Sequence, residues 1–140
     1  MAKTAKRQLG DTGEGVAAKY LEGKGYTVLE RNYLRPWGEI DIVATRKLAG
    51  AKRLYFVEVK SVSREASGWP KADVTREPSA YRPEDNVHPA KFKRLHRAVQ
   101  TYLLDHKVPD HVEWQIDVAC VYLDFSIRKA HVEMLENVVL

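Results

Sequence analysis

Apolar and polar positions alternate along the chain in a way that divides it into seven elements. Ala17, Ala18 and Leu21 recur at helical spacing behind Asp11-Thr12-Gly13-Glu14. This predicts a helix with Asp11 or Thr12 as its N-cap, ending at Gly23 or Gly25. Residues 26–33 read as a strand. Ile40-Asp41-Ile42-Val43-Ala44 and Leu54-Tyr55-Phe56-Val57-Glu58-Val59-Lys60 read as two more, apolar except for Asp41, Glu58 and Lys60. A turn between Lys47 and Lys52, containing Gly50, makes that pair antiparallel neighbours. From Ser61 to Pro89 periodicity fades and four prolines occur, which predicts a long loop. Pro89-Ala90-Lys91 then opens a second helix, in which Phe92, Leu95, Val99, Tyr102 and Leu103 form an apolar stripe to about Asp105. Residues 112–123 form a long buried strand interrupted by Asp117, and residues 126–134 a last edge strand.

The charges inside the strands are the informative departure from this pattern. Side chains two apart on a strand share a face, so Glu58 and Lys60 project together and the hairpin brings Asp41 towards them. An unpartnered buried carboxylate costs several kcal/mol (roughly 2–7 for a polar group alone). Two explanations fit: an ion-paired network that supports the fold, or a site for a hard divalent cation with an ammonium beside it. Glu14 shares a helix face with Ala17, Ala18 and Leu21, and is either a capping-box residue or a third carboxylate at the site. Glu39, two residues before Asp41, is a ligand, a supporting residue or a solvated strand-end charge. Asp117 either pairs with a base on a neighbouring strand, the preferred reading, or orients the site. Trp37 either stacks on a base or, as is commoner for such residues, covers core.

Composition narrows the class. A chain of 140 residues with 44% hydrophobic and 30% charged residues fits one soluble domain, here residues 11–140, behind a flexible basic arm at 1–10. The longest apolar run, Val118 to Leu123, is far too short to cross a bilayer, and no secretory h-region follows the N-terminal bases. The single cysteine, Cys120, fits a cytoplasmic location and a small buried hydrophobe. The five histidines lack zinc-site spacing.

Charge adds a partner. Residues 108–140 carry six acids and two bases, whereas residues 1–107 hold 21 bases against 13 acids. Such asymmetry points to a polyanion, nucleic acid above all and DNA before RNA. Lys91, Lys93, Arg94, His96 and Arg97 crowd one surface of the second helix, a candidate phosphate contact. Arg64 and other bases in the 61–89 loop suit either a flap over a phosphate backbone or a solvated excursion.

The order of these motifs resembles a known family. Gly13-Glu14 on a helix, Arg31-Asn32 late in a strand, Gly38-Glu39-Ile40-Asp41, Val57-Glu58-Val59-Lys60, Lys91 at a helix start and Asp117 in a late strand are similar to the YraN-like family of bacterial proteins. The resemblance spans about Gly10 to Asn137. It implies an α/β domain with a central mixed β-sheet flanked by helices, the restriction-endonuclease-like fold of Holliday-junction resolvases and other PD-(D/E)xK nucleases. By that resemblance Asp41, Glu58 and Lys60 are the catalytic set. Asp41, Glu58, the Val59 carbonyl and in some measure Glu14 would hold Mg²⁺ or Mn²⁺, and Lys91 would contact phosphate. The implied activity is metal-dependent endonuclease cleavage of nucleic acid, branched or single-stranded DNA being the leading substrates, by a monomer or homodimer. A non-catalytic nucleic-acid-binding or adaptor domain retaining the fold is the alternative. The basic positions usual after the lysine are here Ser61 and Ser63, with Arg64 the nearest arginine.

Overall fold

The computed structural model describes residues 5–63 and 89–138. In chain order the elements are α1 (Ala5–Gly23), β1 (Thr27–Arg35), β2 (Gly38–Leu48), β3 (Ala51–Ser63), α2 (Pro89–Asp105), β4 (Glu113–Asp124) and β5 (Lys129–Leu135). The five strands lie in one sheet in the order β1-β2-β3-β4-β5. Only β3 and β4 run parallel, and every other pair is antiparallel. This is a mixed-sheet α/β fold with a helix on each face, the arrangement expected from the sequence and consistent with the restriction-endonuclease-like class.

The parallel pair follows from the connection. Adjacent antiparallel strands need only a tight turn, and Ala49-Gly50, both at positive φ (52° and 81°), supply one between Leu48 and Ala51. A parallel pair needs a crossover, and the segment containing α2 provides it. Each face of the sheet then has its own core. Tyr33, Ile40, Val43, Leu54, Phe56 and Val118 pack under α2 through Phe92, Leu95, Val99 and Tyr102. Ile42, Ala44, Tyr55, Val57, Ala119 and Val121 pack under α1 through Ala17, Ala18 and Leu21.

Both helices end on a left-handed residue. Gly25 (φ 93°) lets the Tyr26 and Gly25 amides donate back to the Leu21 and Glu22 carbonyls. Lys107 (φ 50°) closes α2 in the same way, with Val108 and Lys107 donating to Leu103 and Leu104.

Three boundaries differ from the sequence reading. The first helix begins at Ala5 and runs through Gly10, Asp11, Thr12 and Gly13, so neither Asp11 nor Thr12 is an N-cap. Flanking tertiary contact, with Leu9 packed beside the α1-side core, outweighs the weak helix propensity of those residues. The third strand continues past Lys60 to Ser63, because β4 pairs with it over that whole length. The expected loop therefore starts no earlier than residue 64, and most of it lies outside the described residues. The last edge strand starts at Lys129, after a turn in which Arg128 takes φ 52°.

Candidate functional site

Two irregularities at one level of the β1–β2 hairpin create the site. Arg31 pairs with Ile42 and Tyr33 with Ile40, so Asn32 and Asp41 face each other across the hairpin. Asn32 has φ 55°, a left-handed conformation that asparagine tolerates better than most residues. Ile40 belongs to the core under α2 and Ile42 to the core under α1, although two-residue spacing would put them on one face. Tyr33 and Arg31 part in the same way, Tyr33 towards α2 and Arg31 to Glu14 of α1. The hairpin thus turns over at Asn32/Asp41. The ladder between β2 and β3 ends there, at Ile42 and Val57, while β3 continues beside β4 to Ser63.

Asp41 fills the opening. Its Oδ2 accepts the Val59 amide at 2.8 Å, satisfying a backbone donor that the departing strand leaves without a ladder partner. Burial and then the Glu58 charge push the Asp41 carboxyl up to about 8, with Glu39 and Glu14 adding to the effect and the Val59 bond opposing it.

Glu58 and Lys60 lie on the α2 face, as the alternation of the strand requires. The Glu58 carboxylate is nearly buried and its Oε1 is 2.7 Å from Lys91 Nζ and 3.8 Å from Lys60 Nζ. Desolvation, then the neighbouring Lys91, pull the Lys60 ammonium down to about 8. Desolvation pulls Lys91 down too, but its bonds to Glu58 and Lys60 and the two carboxylate charges outweigh that and leave it raised. One firmly held positive charge and one poised near neutrality therefore flank Glu58.

Glu14 reaches the site from the opposite face. It lies well inside α1, which removes the capping reading, and Arg31 Nε donates to its Oε1 at 3.3 Å. Burial raises its carboxyl against the opposing pull of Arg31 and Asn32. Its charge is felt at Asp41, but its carboxylate is engaged by Arg31. Glu39 is exposed at the rim, adding to the negative potential at Asp41 and Glu14.

Two glycines allow the helices this close. A Cβ on Gly13 would run into the Ser61 hydroxyl, and one on Gly38 into the Arg94 carbonyl group. The glycine that precedes each of Glu14 and Glu39 is therefore a point where helix and sheet touch. The hairpin tip is fixed along α2 by further ties. Tyr33 Oη and Arg35 Nη2 donate to Asp105 at 3.0 and 3.1 Å, and Trp37 Nε1 donates to Thr101 Oγ1 at 3.2 Å. The Arg97 guanidinium lies 4.8 Å from the Trp37 ring centre. Between tip and helix is a cleft of about 330 Å³ that reaches down to Glu58 and Lys91.

The structure thus brings Asp41, Glu58, Val59, Lys60 and Lys91 together and sets Glu14 behind them. Lys93, Arg94 and Arg97 are exposed along α2, Arg97 covering Trp37. Arg64 lies outside the described residues. Asp117 is a correction: its Oδ1 accepts the Gln115 side-chain amide and the Asn137 backbone amide, both at 2.8 Å, so neutral donors hold it instead of a base on a neighbouring strand. That bond straps the C-terminal segment to β4. Sequence reasoning missed the roles of Asn32, Gly13, Gly38 and Ser61; an asparagine within a strand and a glycine before each acid were the available signals.

As oxygen donors for a cation, Asp41 and Glu58 are the coupled pair, the Glu58 charge acting on Asp41 more strongly than that of Glu39 or Glu14. Among the described residues no three His, Cys, Asp or Glu side chains form a ready metal cluster. Nor is any described helix long and apolar enough to cross a membrane.

Proteins of several bacteria are similar to this chain over nearly its whole length. A protein of Beutenbergia cavernae is 37% identical over 134 residues, 96% of this chain and 98% of its own. One of Moorella thermoacetica is 34% identical over 132 residues, covering 94% and 95%, and one of Campylobacter lari 31% identical over 129 residues, covering 92% and 91%. All three are described as UPF0102 proteins. Residues 13–121, from the glycine beneath Glu14 to the buried centre of β4, match the uncharacterised protein family UPF0102, and the chain belongs to that family.

Proposed function

We propose that this protein is a divalent-metal-dependent nuclease that hydrolyses phosphodiester bonds in nucleic acid. The observation that carries the reading is Asp41 in the opening between β2 and β3, a half-buried carboxyl held up to about 8 by desolvation and by Glu58. Among the described residues Asp41 has no cation beside it, and Glu58 shares its charge with Lys91 and Lys60. Such a pair of oxygen donors suits a hard cation, and Mg²⁺ or Mn²⁺ match an all-oxygen set. Asp41 and Glu58 would hold the ion, with the Val59 carbonyl as the next candidate. When bound it would supply Lewis-acid polarisation of a phosphate and a water of lowered pKa.

The chain's own groups supply the rest. Lys60, with its pKa near 8, can donate to a water or release a proton near neutral pH, as a general acid or base must. Lys91, half exposed above Glu58, can turn from that carboxylate to a phosphate oxygen. Water would add to phosphorus and the sugar oxygen would leave with a proton, giving a phosphomonoester and a hydroxyl end. Glu14 and Arg31 keep the far side of the opening closed and polar.

The test is cleavage of labelled single-stranded, duplex and branched DNA, and of RNA, with Mg²⁺ or Mn²⁺. Asp41→Ala, Glu58→Ala and Lys60→Ala should each lower the rate by about a hundredfold to a thousandfold, the size of losing a principal electrostatic group, while binding changes little. Cleavage by Asp41→Ala near the wild-type rate would sink the assignment.

One contact favours the rival reading, a nucleic-acid-binding domain that retains the fold without the reaction. Lys91 already sits 2.7 Å from Glu58, as it would in a purely structural network. In that case Glu58→Gln leaves two ammonium groups facing each other and costs up to about 3–5 kcal/mol, less what solvent screens at half-exposed Lys91, and no metal restores it.

A further inference from the structure

We propose that the cleft between the hairpin tip and α2 is a pocket for one unstacked nucleobase of a single-stranded nucleic acid. Only for the meaning of Glu58 as the neighbouring reaction centre does this rest on the nuclease reading. The cleft holds about 330 Å³, at the small end of ligand pockets. Paired bases within a duplex could present only their edges to it, whereas a splayed base can enter. Leu34, Pro36 and Trp37 form its apolar side, and Leu34 is 66% exposed, apolar surface that nothing in the described chain covers. Arg94 stands at the rim and Lys91 beside Glu58 at the floor.

This distribution orients the strand. An apolar wall suits the π-face of any base. Exposed Glu39, at the rim, repels phosphate, so the backbone would pass on the Arg94 and Lys91 side and bring the next phosphate to the Lys91 ammonium beside Glu58. The pocket is also preformed, because Asp105, Thr101 and the Gly38–Arg94 contact fix the tip against α2. A rigid site loses little entropy when it is filled.

The experiment measures fluorescence anisotropy in EDTA with a labelled oligothymidylate of about 20 nucleotides, longer than usual single-strand sites. The comparisons are a duplex of that length and an oligomer of abasic sugars carrying the same phosphates. Single strand should bind at least about fivefold tighter than either, the low end of what stacking a base contributes. Leu34→Glu, which touches no core, should remove that preference while keeping the wild-type melting temperature, and Trp37→Leu should weaken it. Equal binding of the abasic oligomer or of the duplex, or an undiminished preference in a folded Leu34→Glu protein, overturns the proposal. Because no metal is present, failure here with Mn²⁺-dependent cleavage intact rejects the pocket alone. Base-dependent binding without cleavage under any divalent cation supports the pocket and rejects the nuclease.

Discussion

Asp41 keeps its proton over a pH range where the unfolded chain has lost it, and this makes the metal-free protein pH-sensitive. Between about pH 4 and 8 the native state binds more protons at this position, so stability falls as pH rises through that window. Lys60 acts in the opposite sense above about 8, where the native state releases its proton before the unfolded chain does. Thermal melts in EDTA should therefore show the difference between wild type and Asp41→Asn growing from pH 5 to 8. The asparagine protein, which can still accept the Val59 amide, should be the more stable by about 3 °C or more at pH 8, the size of about 1 kcal/mol in a chain of this length. A flat difference curve would mean that Asp41 is not a repelled carboxyl. Lys91 carries a companion prediction. An ammonium 2.7 Å from Glu58 competes for the carboxylate a cation would use. Lys91→Met should tighten Mn²⁺ binding by about tenfold, or 1.4 kcal/mol, by calorimetry; unchanged affinity would place the ion away from Glu58.

The helices owe their positions to glycines. A side chain on Gly13 would meet Ser61 Oγ, with Ser61 Cβ only 2.7 Å away, and beyond these the next atom is the Ser61 Cα at 3.7 Å. Gly13→Ala should therefore cost about 1–3 kcal/mol, as overpacking does, and Ser61→Gly in the same protein should recover most of it. If chemical denaturation finds the two effects additive, α1 does not rest on β3 at this point. Gly38→Ala has no such remedy, because the obstacle is the Arg94 backbone. These contacts also mark where the sequence stopped being legible. The strands, the tight turn at Gly50 and the α2 stripe followed from periodicity alone, and Glu58 and Lys60 from two-residue alternation. The crossing at Asn32 and Asp41 did not, since one left-handed residue reverses the faces without changing the apolar pattern. Strict alternation gave no warning that Ile40 and Ile42 serve different cores. Glu14 was visible as a buried-face acid, but α1 extends back to Ala5 for tertiary reasons, and its pairing with Arg31 depends on that same crossing. Asp117 read as half of an ion pair, whereas the neighbouring Gln115 side chain and the amide of Asn137, distant in sequence, supply its donors.

Charge is distributed unevenly on the scale of the whole molecule, with exposed bases gathered on α2 apart from Asp41 and Glu58. The acidic excess of residues 108–140 belongs largely to β4, β5 and their turns, whereas Lys93, Arg94 and Arg97 lie exposed on α2, the element that also delivers Lys91. On the proposed reading, a polyanion drawn to the α2 side would meet the cleft and then Glu58. Affinity for a single strand should then fall linearly with log salt, each phosphate neutralised contributing about 0.7 to the slope. Lys93→Ala removes one exposed charge from α2 without touching Asp41, Glu58 or Lys60, and should reduce the slope by about 0.7 while leaving any preference for single strands intact. Lys129→Ala, which removes a charge of the same sign from exposed β5, should leave the slope unchanged. Anisotropy titrations at several salt concentrations decide the matter. If both variants shift the slope equally, attraction comes from net charge alone, and α2 has no special part in guiding nucleic acid to the opening at Asp41.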